Sequence, residues 1–397
     1  MWIKTYRYET ERNDLNREQQ EVLTLLKEID IICRKNGITY FLSPQLTLCA
    51  VGEQPFPVNP MAGVILMKAW DIPRFVKAFE EEQPLRRSLE SMENNRNFPG
   101  FYLRYCNKNT LCYHMDTWGR LRYPGLGINI QPVQAMCSSR KKYLWNRLRE
   151  DGWSRICGKN SRWKSVRDLF CICMVRVMSL GGKERLGRKI FSDLTAVQQE
   201  GGEYVIRGIK KTSYYPAEIF EKAKEIVLEG ERFLVPEDTD GYLSAAYGEN
   251  YLERPAENYV QSPAMVVSTL IPCEEYLEQT PGLKKLAAER GWQEKLQGYG
   301  RCYKKYFNLC WKYAKMCGNR RALGATYVEK KDYIINLHKN GDYMQLERVF
   351  RSYTNMMEKC LKQDEVFEAD EEILNIYLDV LEKTGRLVFL EKVRNCM

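Results

Sequence analysis

Histidine is nearly missing from this 397-residue chain: His114 and His338 are the only two. A zinc centre built on several histidines is excluded, and a Ser-His-Asp triad would have to use one of these two. No run of about 18 or more apolar residues occurs, so no transmembrane helix is expected. The start, MWIKTYRYETERND, has no apolar signal core, so no secretion signal is expected either. The fourteen cysteines form no C-x-x-C pair, and only Cys171 and Cys173 stand close together. Scattered thiols of this kind read as free and mostly buried in a reducing cytoplasm.

What is present is ordinary in amount and uneven in placement. Hydrophobic residues make up 44% and charged residues 28%, as in a soluble globular protein with two or three domains. The net charge is +9, but Arg140 to Lys189 alone holds fifteen Lys/Arg against four Asp/Glu, so the rest of the chain sums to −2. The same stretch carries Trp145, Trp153 and Trp163. Cations interleaved with indoles suit an anionic partner: a nucleotide, a phosphorylated glycan or an acidic membrane surface. The plainer reading is a solvated helical face over an ordinary core. Nucleic acid is not among the expected partners.

Periodicity predicts a helix capped by Asn16, with Gln19 as capping-box partner, an inner face of Val22, Leu25, Leu26, Ile29 and Ile32, and an end at Asn36-Gly37. Strands are expected at Ile38–Leu42, Gly63–Met67 and Gly127–Pro132, with a helix capped by Asp71 between the last two. Tyr102–Tyr105 and Leu111–Thr117 read as a hairpin around Asn107-Lys108-Asn109. These elements predict an α+β fold, a mixed sheet flanked by helices. Beyond it a helix is expected from Arg162 to the Gly181-Gly182 stop, with Trp163, Val166, Leu169, Phe170, Cys173, Val177 and Leu180 on one face. A strand pair then turns at Glu229-Gly230, and a helix runs from Pro236 to Gly248. From Leu283 to the end the chain reads as helical by periodicity, with breaks at Gly318, Gly341 and Gly385. G-x-x-x-x-L-E-[RK]-V occurs at Gly341–Val349 and again at Gly385–Val393, which suggests stacked helical hairpins, a common setting for a protein partner.

Two stretches carry a resemblance. LKEIDIICRKNGITYFLS, Leu26 to Ser43, is similar to the opening helix and strand of the LicD family, the phosphocholine-transferase relatives with a nucleotidyltransferase fold. VLEGERFLVPEDTDGYLSAAYGENYLERPAEN resembles that family's closing pattern, through Leu228-Glu229-Gly230, Val235-Pro236, Tyr242-Leu243, Tyr247-Gly248 and Pro255. The resemblance covers roughly Leu15 to Asn258. It implies a LicD-like domain over 1–260, made of a core sheet at 38–135, a helical, basic insert at 138–200 and a closing segment at 205–258. An all-helical C-terminal domain at 261–397 would follow. It also implies transfer of a phospho-substituent such as phosphocholine from a nucleotide diphosphate to a cell-surface glycan, as in lipopolysaccharide or teichoic acid modification.

Between those stretches the expected chemistry is missing. The family's phosphate-binding Gly-Gly is replaced at Ser43-Pro44-Gln45, where Pro44 has no N–H to offer. Its metal-binding W-D-D-D-I-D corresponds to Asn59-Pro60-Met61-Ala62-Gly63-Val64, which contains no acid. Its further acid corresponds to Asn129 in Ile128-Asn129-Ile130-Gln131-Pro132-Val133. Magnesium takes hard, charged oxygen ligands, and Ala62 and Val64 offer none. Phosphoryl transfer rests on such ions. The expectation is therefore a degenerate transferase with no metal and no cofactor, acting as a binding or scaffold protein through the helical C-terminal region. The alternative is an active, Mg²⁺-dependent transferase using other acids, for which Glu53, His114 and Asp116 are the weak substitutes. His114 and Asp116 are two apart and would share a strand face. Ordinary roles fit each as well: a solvated loop for Glu53, a packed or surface position for His114, a helix cap for Asp71. A third reading is a basic adaptor, cytoplasmic and peripheral at the inner membrane face.

Overall fold

The computed structural model describes residues 2–6, 16–57 except 53, 59, 63–114 except 96, 97 and 99, 121–135, 140–157, 166–195, 203–207, 212–253, 265–279, 315 and 319–397 except 321 and 364. The described chain is mixed α and β. Strands are β1 (Trp2–Tyr6), β2 (Tyr40–Leu42), β3 (Val64–Lys68), β4 (Arg87–Glu90), β5 (Leu103–Asn107), β6 (Leu111–His114) and β7 (Gly127–Ala135). They continue with β8 (Glu203–Arg207), β9 (Thr212–Pro216), β10 (Ala223–Leu228), β11 (Glu231–Pro236), β12 (Met265–Ser268) and β13 (Val366–Asp370). Helices α1 (Arg17–Lys35), α2 (Pro44–Val51), α3 (Ile72–Glu82), α4 (Arg140–Cys157), α5 (Val166–Met178), α6 (Lys183–Thr195), α7 (Thr239–Tyr247) and α8 (Cys273–Gln279) stand between them.

The central sheet runs β2-β3-β7-β5-β4, and only its β3–β7 pair is parallel. The nine-residue β7 changes partner along one edge, pairing β5 up to Ile130 and β8 from Val133. Pro132, which has no N–H to donate, sits at that change. The predicted core sheet at 38–135 is thus extended by β8 and β9. Alternation sends Ile65, Met67, Leu103, Tyr105, Ile128 and Ile130 to one face, where α1 and α3 cover them. Phe41, Leu66 and Val133 go to the other, against Tyr215, Phe220 and Tyr242.

Helix α1 forms as its sequence dictates. Asn16 and Gln19 satisfy one another's backbone N–H groups in a capping box, and Gly37 ends the helix at φ +59°. Its outer turn is tied to the sheet through Glu28, which accepts 2.6 and 2.7 Å bonds from Arg87 on β4 and a 2.7 Å bond from Tyr105 on β5.

Several expectations need correction. Ser43-Pro44-Gln45 does not open a loop. Ser43 caps α2 and Pro44 takes its first position, where a missing N–H costs nothing. Asp71 makes no cap bond and pairs instead with Arg74 at 2.7 Å. The chain turns at Asn107, but β5 and β6 do not form a hairpin: β5 stays in the central sheet and β6 leaves it to pair with β12, Met265 opposite His114. A hairpin needs its two strands in one sheet, and β5 already has β4 and β7 on its two edges. The turn at Glu229-Gly230 does join an antiparallel pair, both residues at positive φ, but α7 starts at Thr239 behind an Asp238 cap, not at Pro236. Val166, Leu169, Phe170, Cys173, Val177 and Leu180 do share one face, and that face is exposed, while Cys171, Ile172 and Val175 are buried. Trp163 lies outside the described residues.

The C-terminal region is not all helical. Strand β13 lies within it and pairs in parallel with β1, Trp2 opposite Val366, so the first residues of the chain complete the last unit. Ile3 enters a core with Leu346, Phe350, Tyr353, Phe367, Tyr377 and Leu390. The two G-x-x-x-x-L-E-[RK]-V copies adopt one conformation. Gly341 and Gly385 are at φ +71° and +76°, and the next N–H reaches back to the carbonyl five residues earlier, Asp342 to Leu337 and Arg386 to Leu381. The helices that follow, Tyr343–Val349 and Leu387–Arg394, each bury their leucine, Leu346 or Leu390. Among the described residues, no helix is long and apolar enough to cross a membrane.

Two outcomes are expected. Ile3→Ala removes a buried side chain from the C-terminal core and lowers stability by about 2–4 kcal/mol, read as a shifted urea midpoint and faster tryptic cleavage within 331–397. The second concerns pH. Burial alone would raise the Glu28 carboxyl, but the hydrogen bonds from Arg87 and Tyr105 outweigh it and hold it below its ordinary value. A depressed acid adds stability above its unfolded value and loses it as pH falls through the folded one. Between about pH 5 and pH 3, the unaltered protein should lose more stability than Glu28→Gln. Equal pH slopes would remove this role from Glu28.

Candidate functional site

Strand pairing builds the site. Val64 on β3 is the register partner of Asn129 on β7, Asn129 faces Arg104 on β5, and Arg104 faces Glu90 on β4. Directly opposed residues share a face, so Val64, Asn129, Arg104 and Glu90 form one row across the sheet. Two backbone bonds fix the end of the row. Ser43 N–H donates to the Val64 carbonyl at 3.2 Å, and Asn129 N–H donates to the Gly63 carbonyl at 2.9 Å. Ser43, Pro44 and Gln45 thus stand beside Val64 at the start of α2, with Ser43 Oγ accepting from Leu46 N–H at 3.4 Å.

The charged side chain next to Asn129 in this row is a cation. Arg104 is only 1% exposed. One terminal nitrogen donates to Asn129 Oδ1 at 3.2 Å and the other to the Gly125 carbonyl at 2.7 Å, while Nε has no partner. Glu90, its register partner, makes no direct hydrogen bond to it. That carboxylate, itself buried, accepts from the N–H groups of Tyr123 at 2.6 Å and Arg122 at 2.9 Å and from Asn95 Nδ2 at 2.9 Å. Among the described residues Arg104 forms no ion pair. The Asn129 amide oxygen, the one neutral oxygen ligand expected here, is already engaged by the guanidinium.

Of the residues singled out in the sequence, Val64, Asn129, Ser43, Pro44 and Gln45 come together. Glu53, Ala62 and Asp116 lie outside the described residues, as does the side chain of His114; the backbone of His114 is on β6, away from the row's sheet. Sequence reasoning missed Arg104 and Glu90. The available signal was Arg104 itself, a lone cation in the otherwise uncharged strand Leu103–Asn107. The other histidine, His338, donates from Nε2 to Asp379 Oδ2 at 2.9 Å, and Tyr343 donates to the same oxygen at 2.9 Å. This cluster joins helices Lys331–Lys339, Tyr343–Val349 and Glu371–Lys383, and it holds the Asp379 carboxyl below its ordinary value. Part of the basic insert is also structural: Trp153 is a core residue, and buried Arg149 pairs with Asp193 at 2.8 Å. Trp145 is exposed, with the Arg149 guanidinium 6.0 Å from its ring.

Comparison with protein-family models, with curated proteins and with solved structures returns no match. The chemistry of the site therefore rests on the row itself. A buried guanidinium beside a carboxamide repels a divalent cation and attracts an anion.

Replacing Arg104 tests its place in the fold. Arg104→Met leaves Asn129 Oδ1 and the Gly125 carbonyl without donors and should cost about 2–4 kcal/mol in denaturant unfolding. Arg104→Lys should recover only part of this, because an ammonium cannot span two acceptors as a planar fork does. Full recovery by lysine would show that charge alone matters there.

Proposed function

We propose that this chain is a LicD-like protein of nucleotidyltransferase fold that has lost metal-dependent transfer and acts by binding. The ligand class is a phosphate-bearing one, a nucleotide diphosphate or a phosphorylated glycan, held beside Ser43, Gln45, Asn129 and Arg104. The helical C-terminal region would present the protein to a partner.

One observation carries this reading. The positions that the resemblance equates with two metal-binding acids, Val64 and Asn129, are neighbours across the parallel β3–β7 pair, and the charge next to them is Arg104. In an active transferase, carboxylates at these positions would hold an ion that neutralises phosphate charge. Here the fixed charge is positive from the outset. A guanidinium can pair with a phosphate oxygen, but it cannot align two oxygens around one centre as a metal does. Binding of an anion is thereby retained in principle while the reaction is not.

Calorimetric titration with cytidine diphosphate tests the proposal. Heat of binding should be the same in EDTA as in magnesium or manganese, and neither ion should add a thermal shift to the nucleotide-loaded protein. Asn129→Asp should not create a metal response, since the new carboxylate pairs with Arg104. A saturable metal-dependent shift in the unaltered protein, or transfer of phosphocholine to a glycan acceptor, would overturn the reading.

A further inference from the structure

Helix α5 is apolar on two opposite sides. Cys171, Ile172 and Val175 are buried against α4, where Gly152 allows close approach: a Cβ there would stand 2.4 Å from the Cys171 carbonyl oxygen. On the other side Val166 is 84%, Phe170 58%, Val177 65% and Leu180 84% exposed, with Leu169 and Cys173 also open. At the helical period these six fall within one arc of roughly 100°, an apolar stripe. From Val166 to Val177 it is about 17 Å long at ~1.5 Å per residue. The two described charged side chains of α5, Arg167 and Arg176, project at the stripe's opposite edges, and both are exposed. Arg167 also reaches Asp151 at 2.9 Å. In the flanking helices, Arg185, Arg188 and Lys189 of α6 and Lys141, Leu144 and Trp145 of α4 are exposed.

We infer that the outer face of α5 is a docking surface for an anionic lipid bilayer. A helix apolar on both sides needs a second apolar medium, and a stripe of this extent left in water is unfavourable. The charge pattern selects the medium. Arginines at both edges can lay their methylene stems along the stripe and set their guanidinium groups among anionic headgroups. The segment that holds the stripe, Arg140 to Lys189, carries +11 while the rest of the chain carries −2, so the excess positive charge is concentrated in this part of the sequence. A further copy of this chain would bring the same positive charge against itself and be repelled. The surface is independent of the row at Asn129 and Arg104, and either can be lost without the other.

Co-sedimentation of the full chain with vesicles tests the inference. Binding should be strong on vesicles of equal phosphatidylglycerol and phosphatidylcholine at low salt, weak on phosphatidylcholine alone, and reduced at high salt. Phe170→Glu together with Val177→Glu should lower partitioning by about tenfold or more, with the melting temperature unchanged because both side chains are exposed. Arg176→Glu should lower it as well. Equal binding to both vesicle types would overturn the inference. So would unaltered partitioning of the stripe variant, which would leave only diffuse charge attraction. Conversion of a self-associated protein to monomer by the stripe variant, with vesicle binding unaffected, would assign the face to self-assembly instead.

Discussion

The parallel pairing of β3 with β7 is the constraint on which the rest of the sheet depends. Parallel neighbours cannot be joined by a tight turn, so the chain between Lys68 and Gly127 must leave the sheet and return. It does so through α3, β4 and β5, and β5 then lies antiparallel on the far edge of β7. Register follows from the same pairing. A slip of one residue would send Ile65 and Met67 away from α1 and bring Val64 and Leu66 under it. The burial of Ile65, Met67, Ile128 and Ile130 beneath α1 and α3 prevents that slip, and so holds Val64 opposite Asn129.

That register decides the character of the site. With carboxylates at Val64 and Asn129, the row would be a cradle for a metal ion. With Arg104 one strand further along, it carries a guanidinium that forms no ion pair with any described carboxylate. A buried, unneutralised guanidinium is expensive unless an anion or several dipoles compensate it. Asn129 Oδ1 and the Gly125 carbonyl supply two such dipoles. The same physics that makes a divalent cation unwelcome makes an anion favourable.

The C-terminal unit is held by a different device. Its core lies among helices of which two, Lys331–Lys339 and Glu371–Lys383, are followed by a glycine at positive φ, and the one strand described within 331–397, β13, would be an unpaired edge without β1. Pairing with the first residues of the chain closes that edge and adds Ile3 to the core. Lys4 also reaches Glu275 of α8 at 3.1 Å, while β12, just before α8, pairs with β6. The division at 261 is therefore crossed in both directions: early residues serve the late unit and late residues extend the early one.

Sequence alone determined what short-range chemistry controls. The capping box at Asn16 and Gln19, the left-handed stops at Gly37, Gly341 and Gly385, the turn at Glu229-Gly230 and the strand at Gly127–Pro132 are local, because caps, turns and alternation involve residues a few positions apart. Strands β3 and β7 were legible in the sequence, but Arg104's place between Asn129 and Glu90 was not, since it depends on which strands become neighbours. Tertiary structure decided the partner of β6, the closure of β13 by β1 and which side of α5 is buried. In α5 both sides are apolar, so periodicity supplies two candidate inner faces, and only the approach of α4 at Gly152 selects Cys171, Ile172 and Val175 for burial.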